Sequence, residues 1–127
     1  MPIEYQIDHV QRLVRATARG TFTDRDAFGY QRAVWSRSDV AGYDELMDMS
    51  GVEKIELPSP NRVMQLARLA AGMDVEGPPS KFAIVAPENL AFGLGRMFQV
   101  HRGMEDGSTK QVGVFRTLAD ALAYLGR

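Results

Sequence analysis

Residues Tyr43–Val63 read YDELMDMSGVEKIELPSPNRV, and the fold turns on how this stretch divides. Leu46–Met49 is apolar enough for a buried strand, which ends in Asp48-Met49-Ser50-Gly51-Val52. A short link through Ile55 follows, and Ser59-Pro60 opens a helix. Proline suits the first helical position, where the N–H it lacks has no intrahelical partner anyway. A strand passing directly into a helix is the unit from which α/β sheets are built. The junction also collects polar residues: Asp48, Ser50, Glu56, Ser59 and Asn61. A helix start presents unpaired N–H groups, so these residues suit an anion-binding or phosphorylation site. Local satisfaction accounts for them too, with Ser59 as N-cap and Asp48 or Ser50 bonded to loop amides.

Upstream, Ile3, Tyr5 and Ile7 alternate with Glu4, Gln6 and Asp8, the period of a half-buried strand. Asp8-His9-Val10-Gln11 reads as a turn, and Leu13–Ala18 as a second, antiparallel strand that Gly20 ends. Thr23-Asp24 supplies an N-cap and an acidic first turn for a helix reaching about Arg37. Its apolar stripe is Phe28, Gln31 and Trp35, flanked by Ala27 and Val34.

Downstream, the helix opened by Ser59-Pro60 buries Val63, Leu66, Ala67, Ala70 and Met73, with Arg62, Gln65 and Arg68 facing water. Gly77-Pro78-Pro79 breaks the chain, but too little follows it for a second core. Lys81–Ala86 is a continuous apolar run, as expected of a parallel strand buried on both faces. Pro87-Glu88-Asn89 starts a helix through about Arg102, and Val112–Phe115 is the last strand. Thr117 and Asp120 make a capping box for a final helix, Leu118–Leu125. The order β-β-α-β-α-β-α-β-α predicts one α/β domain over residues 1–127. Its sheet is mixed and mainly parallel, with four or five strands, about four helices and right-handed crossovers.

Bulk properties narrow the function. With 127 residues, 45% hydrophobic and 24% charged, the chain matches a single globular domain. A net charge of -1 lacks the basic stripe that nucleic-acid binding requires. The absence of cysteine excludes disulfides, thiolate metal sites and a cysteine nucleophile. MPIEYQID has neither a basic nor an apolar region of a secretion signal, and no apolar run is long enough to span a bilayer. A cytoplasmic location is the default expectation.

His9, in the turn, and His101, near a helix end, have no second ligand or nucleophile at fitting spacing. No metal, cofactor or catalytic set is therefore expected. Gly93-Leu94-Gly95 lies inside a predicted helix, where each glycine costs about 1 kcal/mol relative to alanine. Such a cost implies close approach of a neighbouring backbone, a partner subunit or a ligand. Leu90, Leu94, Met97, Phe98 and His101 share one side of that helix. Phe92 points almost opposite, beside Gln99, with Gly95 and Arg96 flanking it. An aromatic there suits contact with a protein partner, an apolar ligand or a membrane surface, unless a neighbouring element covers it. Homodimerisation stays open.

Asp48-Met49-Ser50-Gly51-Val52, followed by Ile55, resembles the strand segment of STAS domains, the SpoIIAA-like anti-sigma-factor antagonists. The N-terminal hairpin, Thr23–Trp35, Lys81–Pro87 and Ala91-Phe92-Gly93-Leu94-Gly95-Arg96-Met97-Phe98 extend the resemblance to short bacterial SpoIIAA-like proteins over nearly the full length. Where STAS domains carry the phosphorylated serine motif at the helix start, this chain has Glu56-Leu57-Pro58-Ser59. The resemblance thus implies a SpoIIAA-like fold and a non-catalytic interaction or ligand-binding module, with the phosphoserine switch lost. It also implies a fold-level similarity to CRAL-TRIO lipid-binding domains, whose helices move to admit apolar ligands. Two readings follow: docking through Ser50–Asn61, or an apolar ligand or membrane contact through the 88–102 helix. An enzyme ranks last.

Overall fold

The structure, a computed structural model, describes residues 3–127; Met1 and Pro2, part of the segment read for targeting, lie outside the described residues. Five strands form one sheet in the order β1-β2-β3-β4-β5. β1 (Ile3–Asp8) pairs antiparallel with β2 (Leu13–Thr23). β3 (Asp44–Glu56), β4 (Lys81–Val85) and β5 (Gln111–Phe115) then add in parallel. The crossovers contain α1 (Asp24–Trp35), α2 (Pro60–Gly72) and α3 (Asn89–Met104), and α4 (Leu118–Tyr124) closes the chain. The expected element order and mixed, mainly parallel sheet are what the chain adopts.

Because each strand is added on the same side of its predecessor, right-handed crossovers put α1, α2 and α3 on one face. That face holds the main core, in which Val14, Ala16, Met47, Met49, Phe82 and Ile84 meet Tyr30, Val63 and Phe98. α4 covers part of the other face, where Ala121 and Leu125 pack on Leu13, Leu46, Ala83 and Val85. Strand β4 lies between the two layers, which explains its unbroken apolar run.

Local signals in the sequence explain most helix starts. Thr23 and Asp26 form a complete capping box at α1, and the stripe Ala27, Phe28, Gln31, Val34 and Trp35 is buried. At α4 only half of the expected box forms: the Thr117 hydroxyl accepts from Asp120 N, at 3.2 Å.

Two strand ends differ from expectation. Gly20 does not end β2, and Asp48–Val52 does not end β3. Both strands continue as a two-stranded ribbon, Arg19–Thr23 beside Gly51–Glu56, with register shifts at Thr17/Arg19 and Gly20/Thr21. Gly20 takes φ 65 at this irregularity, a left-handed conformation that glycine adopts without the Cβ penalty. A bulge thus absorbs what looked like a stop signal. The ribbon extends beyond the shorter strands and carries half-buried Phe22, Val52 and Ile55 against the helical layer.

Helix α3 is also rotated from its expected orientation. Its buried residues are Ala91, Gly95, Phe98 and Arg102, whereas Leu90 is 61% exposed. The charged Arg102 belongs to the inner stripe because it has a buried partner, Asp74, at 2.6 Å. Hydrophobicity alone hides such a residue.

Candidate functional site

Between the sheet and the three-helix layer lies a cavity of about 100 Å³. Its floor is Met47, Met49, Phe82 and Ile84 from the strands; Ala27, Val63, Ala91 and Phe98 come from the helices. The ribbon contributes Phe22 and Ile55, so the bulged extension is what walls off this end. Half-buried Leu57, Leu66 and Leu94 bring the cavity to the surface. Gly95 makes room from α3: a Cβ there would stand 3.0 Å from Val114 Cγ1, closer than side chains ordinarily pack.

At the rim, Arg62 ties α2 to α1. Its Nε donates to Asp24 Oδ2 at 2.7 Å, and its guanidinium lies 4.2 Å from the Phe28 ring centroid. The hydrogen bond from Arg62 holds the Asp24 carboxyl below its ordinary range. Arg62 is therefore a half-buried bridge, not the water-facing residue that helical spacing implied. Spacing gives a residue's side of the helix, but the neighbouring α1 covers that side.

A buried polar cluster stands behind the cavity. Glu45 Oε2 accepts from Tyr30 OH at 2.7 Å and from Trp35 Nε1 at 3.1 Å, while Oε1 accepts from Lys110 Nζ at 3.1 Å. The ammonium also lies 3.0 Å from the Trp35 ring centroid. Burial, then the Glu45 carboxylate, pushes the Tyr30 phenol well above its ordinary range. Burial lowers the Lys110 amine, partly offset by the nearby carboxylates. Sequence reasoning missed this group. One signal was present: alternation along β3 puts Glu45 on the core face with Met47 and Met49, where an unpaired carboxylate is not tolerated.

Lys110 also lines a second cavity, of about 300 Å³, at the opposite end of the parallel strands. Trp35–Ser38, Ala41 and Gly42 bound it on one side, Met73–Val75, Pro78 and Ser80 on the other.

The residues singled out from the sequence are dispersed. Asp48 is half-buried, on the face that α4 covers with Leu46, and its Oδ1 accepts from Ser50 N at 2.9 Å. Ser50 and Asn61 are exposed, and Glu56 is exposed beside Lys54, at 3.1 Å. Ser59 is the N-cap of α2, but its side chain makes no capping bond. Arg96 is exposed and Gly95 buried. Phe92 is half-buried beneath the Arg116 guanidinium, 3.9 Å from the ring centroid. Arg116 is itself anchored on Pro87 O and Asn89 Oδ1, at 3.0 and 2.9 Å. The outward apolar residues of α3 are instead Leu90, Val100 and Met104. Of the eight residues, Gly95 alone lines the apolar cavity, and none lines the second one.

His9 sits in the exposed turn, bonded through Nδ1 to Tyr43 OH at 2.8 Å. Among the described residues no group of three or more His, Cys, Asp or Glu could hold a metal ion. Nor is any helix among them long and apolar enough to cross a membrane.

No family model matches this sequence, and no curated protein does. A solved structure does match: an uncharacterized protein of the DUF3478 family from Shewanella loihica, with a SpoIIAA-like fold. The two chains are 17% identical, with a TM-score of 0.58; the match covers 97% of this chain and 93% of the other. The chain has the SpoIIAA-like fold.

Proposed function

We propose that this protein is a non-catalytic STAS-like binding module whose ligand is a small apolar molecule, or the apolar end of a larger one. The cavity between the sheet and α1, α2 and α3 carries the reading. Apart from Asp24 and Arg62 at the rim, Gln31 and the Glu45 cluster behind, its lining is aliphatic, aromatic or thioether, with Gly95. Arg62 is bonded to Asp24, and Glu45 to Tyr30, Trp35 and Lys110, so the space offers apolar contact and few free polar groups.

Its volume, about 100 Å³, is roughly two-thirds of the ~150 Å³ apolar cavity that stays dry and binds benzene. A ring or short branched chain is the size that enters without rearrangement. Longer ligands need α1 and α2 to part, and the Asp24–Arg62 bridge is the contact that such parting breaks. This reading moves the ligand from the outer face of the 88–102 helix to its inner face, at Ala91, Leu94, Gly95 and Phe98.

The test uses methyl-labelled methionine and benzene as probe. The Met47 and Met49 methyl resonances should shift saturably, while exposed Met104 stays put. Filling the space with Ala27→Leu or Ala91→Leu should abolish the shifts without lowering thermal stability by more than overpacking explains, about 1–3 kcal/mol. Unsaturable shifts, or equal shifts at Met104, refute the reading.

A further inference from the structure

The geometry points to a second, covalent site: we propose that Lys110 captures small aldehydes or ketones as an imine in the 300 Å³ cavity, with Glu45 relaying the proton. This stands apart from the apolar-ligand reading, since it uses another cavity and another chemistry.

Three observations converge. The Lys110 side chain is only 6% exposed, yet it lines a space at the lower end of the size range of ligand clefts. Glu45 Oε1, at 3.1 Å, is the one hydrogen-bond acceptor of its three N–H groups among the described residues, and the Trp35 ring, 3.0 Å away at its centroid, is its other neighbour. Glu45 is in turn locked by Tyr30 and Trp35 on Oε2, so Oε1 stays aimed at the amine. A nucleophile within reach of a base that a third group orients is the arrangement amine chemistry requires.

Charges around the amine oppose one another. Burial favours the neutral form, Arg102 adds to this, and the carboxylates of Glu45 and Asp74 work against it. The net effect lowers the amine below the ordinary lysine range and enlarges its reactive fraction near neutrality.

The step balances without a co-reactant. Glu45 takes one proton from the ammonium. The Nζ lone pair then attacks the carbonyl carbon, forming C–N as the carbonyl π pair moves to oxygen, and a proton passes from nitrogen to that oxygen. Glu45 returns its proton to the hydroxyl, which leaves as water. A protonated imine remains, facing the same carboxylate and the same Trp35 ring. The cation at the end of the step therefore has the same two partners as the ammonium at its start.

The chain contains three lysines, Lys54, Lys81 and Lys110, so the wild-type protein supplies its own controls. Propanal with cyanoborohydride at pH 7.5, followed by peptide mass mapping, measures the alkylation rate of each side chain. Lys110 should react at least ~10-fold faster than Lys54, whose side chain is 67% exposed, and its rate should saturate with propanal. Glu45→Gln frees the amine from the carboxylate but removes the relay, so the saturated rate at Lys110 should fall while Lys54 is unchanged. Faster reaction at Lys54, a rate linear in propanal, or modification of Lys110 only in urea would each overturn the proposal.

Discussion

Replacing Lys110 with methionine removes one charge and keeps a chain that still packs on Trp35. Glu45, 3% exposed, then loses the Lys110 cation while retaining the Tyr30 and Trp35 donors. Breaking a buried ion pair from one side costs roughly 3–5 kcal/mol. Two of three hydrogen bonds to Glu45 survive, so the lower end applies, about 3 kcal/mol. For a domain of this size that lowers Tm by on the order of 10 °C. Adding Glu45→Gln removes the stranded charge and keeps an oxygen for Tyr30 and Trp35. The double variant should lie within about 1 kcal/mol of wild type, which makes the coupling strongly non-additive. Urea unfolding followed by far-UV circular dichroism and Trp35 fluorescence measures all three proteins. A single-variant loss under 1 kcal/mol, or additive losses in the double, refutes the buried-pair account.

Two further outcomes follow from the geometry. Gly93→Ala should stabilise by up to about 1 kcal/mol, because a Cβ there meets nothing within 4 Å. Gly95→Ala should forfeit that gain and lose up to about 2 kcal/mol more against Val114, a stiff β-branched neighbour on β5; equal Tm values for the two would contradict the packing. Burial pushes the Asp74 carboxyl up, but the Arg102 guanidinium and the N–H groups of Thr109 and Lys110 outweigh it and hold it below 3.8. A depressed folded pKa means stability that is complete above pH 4 and lost as pH falls through the folded value. Asp74→Asn should lose about 3 kcal/mol at pH 7 and show a flatter profile below pH 4, read from urea midpoints at stepped pH. A variant profile as steep as wild type would show that Asp74 is not the group responsible.

How much was legible in the sequence depended on range. Period-two alternation in β1, the Thr23 cap, the Pro60 helix start and the unbroken apolar run of β4 are local signals, and each element formed where they placed it. Errors arose where a distant partner overrode a local preference. Gly20 looked like a stop because glycine weakens strands, yet pairing with β3 turned it into a bulge. Arg62 was placed facing water by helical spacing, yet Asp24, 38 residues earlier, holds it as a half-buried bridge. Phe92 looked misplaced on its helix, yet Arg116 from beyond β5 covers it.

By itself, then, the Tyr43–Val63 stretch and its neighbours determined the element order and the mixed, mainly parallel sheet, because backbone periodicity and capping act over a few residues; the SpoIIAA-like fold came from the resemblance to STAS domains. Only the tertiary structure decided the sites. Glu45 and Lys110 are 65 residues apart, and Asp24 and Arg62 are 38 apart. Such charges are stable inside only as pairs, and no local pattern records which partner the chain will bring. The cavities share this property: they are spaces between elements, set by how a bulged ribbon and three helices pack on one sheet face.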